Sequence, residues 1–450
     1  MTTADKQGVV KSSRNRYLFP FLMVATLFFI WGFCHSLLDD LNKYFQDMLS
    51  LGKMESGLVQ TSVFIAYFLV GLPAAMLIRR IGYQRGILVG LLVLATGAFL
   101  FIPAGLVFQT FWAFLAALFV LSIGLATIET AANPYVTVLG PKEGAAGRLS
   151  VAQAFNACAY ILAPAVGGFI LFGKKIDPNV RDFHPLILPY AVLGLVVLLI
   201  FGAFAMIHLP VIEEGKADEA DDATIFKAPL ASQPHFTLGV VTQFLYIVAQ
   251  IGVNAFAVNY IVENAVNQDA KGNITSAAPV FQWLMNITNA KNANQAATYV
   301  IAFFCMTLYT IGRFSGAPIS RVIKPNIMLA LYGILNSVVI LLAIADVKFI
   351  SWMILPLCWL FMSIMYPFIF AMSVRNLGPQ TKIAASFHVI AVGAAGSISA
   401  VLMGGLWDHY KSVGLSFSVP LICFVAVTIY ALAYPALLEK SGRAAPATAK

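Results

Sequence analysis

LSIGLATIETAANPYVTVLGP, residues 121–141, contains a single charged side chain, Glu129, among residues that are otherwise apolar, small or neutral. The apolar run around it spans 109–138, and about 20 such residues suffice to cross the hydrocarbon core of a bilayer. A carboxylate at that depth costs about 2.5 to 3.5 kcal/mol even on the most lenient insertion scale. It therefore needs a partner, a water-filled cavity or a task. Reading outward from this run, similar stretches bounded by charge or by Gly and Pro fall at 17–45, 56–78, 86–105, 149–173, 185–209, 236–262, 296–320, 326–345, 349–374, 381–407 and 414–438. With 109–138 they predict an all-α membrane protein of twelve transmembrane helices.

Composition agrees with this reading. Of 450 residues, 60% are apolar and only 11% charged, against about 25% charged in an average soluble protein. The formal charge of +8 is read first as a topology signal, because Lys and Arg in short loops set orientation; nucleic acid is excluded as a partner. With both termini cytoplasmic, the cytoplasmic segments hold 18 Lys and Arg and the external loops 9, with Arg313 inside a span completing the 28. Cys34, Cys158, Cys305, Cys358 and Cys423 all lie in apolar runs without metal-ligand spacing and read as small core residues. The first apolar run is too long for a signal-peptide core and is read as a retained helix.

A polar, acidic stretch at 210–235, containing EEGKADEADD, separates spans six and seven and has the composition of a solvated cytoplasmic linker. It divides the chain into a tail at 1–16, a six-helix bundle at 17–209, a second at 236–438 and a tail at 439–450. A second hydrophilic stretch, Glu263 to Gln295, reads as an external loop with a short apolar insert, PVFQWLM. Asn273 and Asn286 begin Asn-x-Thr sequons within it.

The halves resemble each other. Pro134 in span four precedes Phe155 of span five by 21 residues, and Pro367 in span ten precedes Phe387 of span eleven by 20. A shift of 215 places Trp31, His35 and Asp39 over Tyr246, Gln250 and Asn254, an aromatic and two polar residues along one helical face in each half. Parallel six-helix repeats of this kind are the plan of major facilitator transporters, whose substrate site lies between pseudo-symmetric halves. Two such polar stripes would line an aqueous cavity; the plainer alternative is hydrogen bonding between neighbouring helices.

Within this frame Glu129 is the candidate for reversible protonation, with a structural ion pair, for instance to Arg313, as the alternative. Asp39 closes the first span, and His35 stands one turn before it on the same face, so the two could share a proton. Asn133 lies one turn after Glu129, and Gln153 and Asn156 lie three apart on span five. Amides offer both donors and acceptors, which is what sugar hydroxyls need. Trp31, Tyr246 and Tyr366 offer flat faces for a pyranose ring. Arg313 and His388 are read chiefly as interhelical pairing residues. No Walker A lysine, metal cluster or nucleophile elbow occurs in the sequence, so no cofactor is expected.

Several segments together resemble the L-fucose/proton symporter family: FFIWGFCHSLLDDLNKYFQ from Phe28, ETAANPYVTVLGP from Glu129, RLSVAQAFN from Arg148, QPHFTLGVVTQFLYIVAQ from Gln233, IGRFSG from Ile311, and SIMYPFIFAMSVRNLGPQTK from Ser363 followed by ASF. The resemblance runs in register over nearly the whole chain. It implies the twelve-helix major facilitator fold, alternating access, and proton-coupled uptake of a monosaccharide by a monomer in a bacterial inner membrane. It carries the family's essential carboxylates onto Asp39 and Glu129, its span-five polar pair onto Gln153 and Asn156, and its span-ten tyrosine onto Tyr366. Departures are His35 and Ser36 in place of two asparagines, His388 in place of an aliphatic residue, the longer loop before span eight, and Arg79 where the facilitator loop signature has aspartate. Relatives in that family carry glucose, galactose or N-acetylglucosamine, and some use sodium. A membrane sugar sensor would share these helices but usually adds a long signalling tail, and a membrane enzyme would cluster catalytic residues at one face.

Overall fold

The structure, a computed structural model, describes residues 17–37, 41, 45, 58–171, 183–207, 209–210, 229–268, 274–290, 293–345, 350–410 and 412–443. Asp39, the acidic core of the linker and Asn273 lie outside the described residues.

The chain is built from long helices: α1 (Tyr17–Leu37), α2 (Leu58–Ile81), α3 (Tyr83–Phe108), α4 (Phe111–Val138), α5 (Ala145–Leu171), α6 (His184–Met206) and α7 (Pro234–Ala265). A short hairpin, β1 (Val266–Gln268) with β2 (Ile274–Ala277), and a ten-residue helix, α8 (Pro279–Thr288), come next. Then follow α9 (Ala293–Ile319), α10 (Pro325–Ile344), α11 (Ser351–Ser373), α12 (Thr381–Tyr410) and α13 (Val413–Gly442). Among the described residues, ten of these helices are apolar and long enough to cross a bilayer; α5 and α12, of 27 and 30 residues, bring the long helices to twelve. Helix suits such long uncharged runs, because hydrocarbon supplies no partner for a backbone N–H or C=O and a helix pairs them within the segment.

One stretch differs from its sequence reading. Glu263 to Gln295 takes regular structure over most of its length: α7 runs to Ala265, Val266 pairs with Ala277 and Asn267 with Ser276 in the hairpin, and PVFQWLM forms most of α8. The physical reason is a tertiary contact. Phe281 of α8 finds an apolar partner in Trp352, with ring centroids 5.4 Å apart at 80°, an edge-to-face arrangement favourable to both.

The helices form two compact units, Met1–Lys227 with Val374–Gly393, and Ala228–Ser373 with Ala394–Lys450. In the first, α3 and α4 cross at close range. A Cβ at Gly124 would stand 2.4 Å from the backbone N of Leu94, so only glycine permits the approach. At the end of α4, Arg148 of α5 donates to the carbonyls of Val136 (3.2 Å), Thr137 (2.8 Å), Gly140 (3.4 Å) and Pro141 (2.8 Å), closing a helix terminus whose carbonyls lack intrahelical partners. In the second unit α7 is central. Its N-terminal His235 Nδ1 meets Ser441 Oγ at 2.7 Å, Ser399 donates to the Val248 carbonyl at 2.6 Å, and Tyr260 donates to that of Ala343 at 2.7 Å.

Candidate functional site

In the first unit, Glu129 and Asn133 project from one face of α4, a turn apart. Glu129 is 5% exposed. Asn133 Nδ2 donates to Glu129 Oε1 at 3.3 Å, and Asn133 Oδ1 accepts from Gln153 Nε2 of α5 at 3.4 Å. All three side chains are buried, so a carboxyl and two amides form one relay from α4 to α5. Asn156, a turn beyond Gln153, donates to the Phe28 carbonyl of α1 at 3.3 Å. Gly32 makes room for that contact, since a Cβ there would stand 2.4 Å from the Asn156 carbonyl oxygen.

Trp31 and His35 lie a turn apart on α1 with ring centroids at 4.4 Å, and both converge on the Tyr67 hydroxyl of α2. Trp31 Nε1 donates to it at 2.6 Å, and His35 Nε2 lies 3.1 Å from it. The hydroxyl accepts from the indole and can give its own proton to Nε2 of a neutral histidine. A small cavity is lined by Leu27, Phe28 and Trp31 of α1, Ile128, Glu129 and Ala132 of α4, and Gln153 of α5. It brings the indole, the carboxyl and an amide to one space. His388 of α12, also in this unit, is fully buried.

The second unit carries the other stripe. Burial falls along α7, from Tyr246, which is buried, through Gln250, which is half-buried, to Asn254, which is exposed. The Tyr246 hydroxyl donates to the Met362 carbonyl at 3.0 Å. Gln250 Nε2 donates to the Tyr309 hydroxyl of α9 at 2.7 Å, and Arg313 Nη2 donates to the same oxygen at 2.6 Å. The Arg313 guanidinium also lies 4.3 Å from the Tyr309 ring centre, a cation–π geometry, and its Nε donates to the Ser363 carbonyl at 3.3 Å. Tyr366 is buried in α11.

Two residues here were not singled out in the sequence. Tyr309 stands four before the intramembrane Arg313, a spacing that would have marked it. Tyr67 had no comparable signal, being a tyrosine in an apolar run. In the first unit a buried carboxyl, an amide and an indole ring thus line one small cavity, with the indole N–H given to Tyr67 and the amides joined to each other and to Glu129.

Residues 17–400 match the family described as the Major Facilitator Superfamily. The chain is 32% identical over 423 residues to the glucose/galactose transporter of Brucella abortus biovar 1 (strain 9-941), covering 94% of this chain and 95% of that protein. To the L-fucose-proton symporter of Escherichia coli (strain K12) it is 30% identical over 434 residues, covering 92% and 93%. A crystal structure of a single-substitution variant of the E. coli fucose:proton symporter, FucP, superposes with a TM-score of 0.77 at 29% identity, covering 93% of this chain and 99% of the other.

Proposed function

The chain belongs to the Major Facilitator Superfamily and to its L-fucose/proton symporter family, and we propose that it is a proton-coupled symporter taking up L-fucose by alternating access. It is a membrane sugar transporter and not an enzyme. The observation that carries the coupling reading is the relay Glu129–Asn133–Gln153 beside the cavity that Trp31 shares. A carboxyl held there accepts a proton in one state of the carrier and releases it in another, while the amides on either side bind sugar hydroxyls. Asp39 is the second coupling carboxylate. Trp31, His35, Asn133, Gln153, Asn156, Tyr246, Gln250, Asn254 and Tyr366 bind the sugar.

The carrier works as a monomer in a bacterial inner membrane, its two six-helix halves, 17–209 and 236–438, joined by the linker at 210–235, with both termini in the cytoplasm. Each charge moved across 100 mV contributes about 2.3 kcal/mol, which supports roughly fifty-fold sugar accumulation from the potential alone. A glucose or galactose substrate is the second reading, favoured by the identity to the Brucella protein and by His35 and Ser36 on the first helix. Uptake of labelled L-fucose, glucose, galactose and N-acetylglucosamine into proteoliposomes, under an imposed pH gradient with and without sodium, tests both. L-fucose uptake driven by the pH gradient in sodium-free buffer is expected. Strict sodium dependence would overturn the proton assignment, and uptake of another sugar alone would overturn L-fucose.

A further inference from the structure

The helix α8 has three distinct sides. Successive helical residues turn by about 100°, so Val280, Trp283 and Ile287 fall within about 60° of one another, and all three are exposed, at 45%, 60% and 61%. Phe281, on a second side, is fully buried against Trp352, with Leu284 and Met285 half-buried beside it. Gln282 and Asn286, on the third, are exposed and polar. A helix in water needs two sides, one toward the protein and one toward solvent. A third, apolar and outward-facing, fits a helix lying where protein, hydrocarbon and water meet.

Its position agrees with that geometry. Trp352 stands in the first turn of Ser351–Ser373, a helix apolar and long enough to cross a membrane, so α8 is seated against one end of that helix. Ile350, just before that helix, and Met353 and Leu357 within it are exposed apolar side chains, as a lipid-facing band would be. No charged residue occurs from Ile274 to Ala290. Tryptophan is the side chain best suited to headgroup depth, its ring apolar and its N–H wet.

We propose that α8 is an interfacial helix that inserts Val280, Trp283 and Ile287 into the headgroup–acyl boundary of the bilayer, anchoring the start of α11 and the hairpin that joins α7 to α8. Its partner is lipid and not a second protein chain.

Nitroxide labels on cysteines placed one at a time at positions 280, 283, 287, 282 and 286 would test this. The background is Cys158→Ser, the other four native cysteines being buried. The full chain is reconstituted in phosphatidylethanolamine–phosphatidylglycerol vesicles, and collision with oxygen, which partitions into hydrocarbon, is compared with collision with a water-soluble nickel chelate present on both sides. The oxygen-to-nickel ratio should be about fivefold or more higher at 280, 283 and 287 than at 282 and 286, as expected when one face is immersed in acyl chains and the other in water. Equally low ratios at all five would place the helix in water, equally high ratios would immerse it whole in hydrocarbon, and protection of 280, 283 and 287 from both reagents would mean that protein covers them; each overturns the proposal. Any one of the three apolar positions decides it, so a variant that fails to fold does not remove the test.

Discussion

Asn133 sits one turn beyond Glu129 and donates to its carboxyl at 3.3 Å while its own oxygen accepts from Gln153 at 3.4 Å. The buried carboxyl is thus connected to a second helix through neutral amides. An amide relay of this kind accommodates either protonation state, because a side-chain amide offers both a donor and an acceptor.

The first prediction concerns Glu129. Glu129→Gln keeps shape and hydrogen-bonding capacity but cannot release a proton. Sugar binding, measured calorimetrically in detergent, should survive within a few-fold, whereas gradient-driven accumulation and sugar-induced alkalinisation of the medium should vanish. If the variant still concentrates sugar, the coupling proton is carried elsewhere, with Asp39 as the leading candidate.

Tyr67 is the residue on which Trp31 and His35 converge. Tyr67→Phe removes the shared hydroxyl and leaves the indole N–H without its acceptor, a loss worth about 1 to 3 kcal/mol for a desolvated group. Thermal stability in detergent should fall by that amount, and sugar affinity should fall with it, because Trp31 and His35 lose the hydroxyl that orients them. Wild-type affinity in this variant would show that the Trp31–His35–Tyr67 cluster serves packing and not the sugar.

Arg148 holds four carbonyls at the end of α4. Arg148→Ala should lower stability by about 1.5 to 3 kcal/mol, the range for hydrogen bonds to a charged group. Arg148→Lys should recover only part, because an ammonium cannot reproduce the planar fork of donors. Thermal unfolding in detergent reads both; equal melting temperatures for Lys and Arg would contradict the fork as the cause.

At the crossing of α3 and α4, Gly124→Ala places a methyl 2.4 Å from the backbone of Leu94. Overpacking of that kind costs about 1 to 3 kcal/mol. Gly202→Ala in α6 meets nothing within 4 Å and should instead gain up to about 1 kcal/mol from helix propensity. Melting temperatures shifted in opposite directions would bear out the assigned crossing, and equal shifts would not.

Much of this was present in the sequence alone. The cost of taking charge into hydrocarbon makes spans visible as uncharged runs, and it makes Glu129 conspicuous, since one carboxylate in such a run is too expensive to be incidental. Helical periodicity placed Asn133 with Glu129 and Gln153 with Asn156, because spacings of three and four are set by the turn of the helix. Contact between helices is beyond the reach of periodicity. That Asn133 bonds to Gln153, that Trp31 and His35 share Tyr67, and that Gln250 and Arg313 share Tyr309 depend on how separate helices pack. A tyrosine within an apolar run looks the same whether it fills space or anchors a network. The stretch from Glu263 to Gln295 marks the same boundary. Its polar composition read as loop, and the helical form of PVFQWLM became apparent only with Trp352 set against Phe281, because a ten-residue segment is too short to be stable as a helix by its own backbone hydrogen bonds and depends on the surface it packs against.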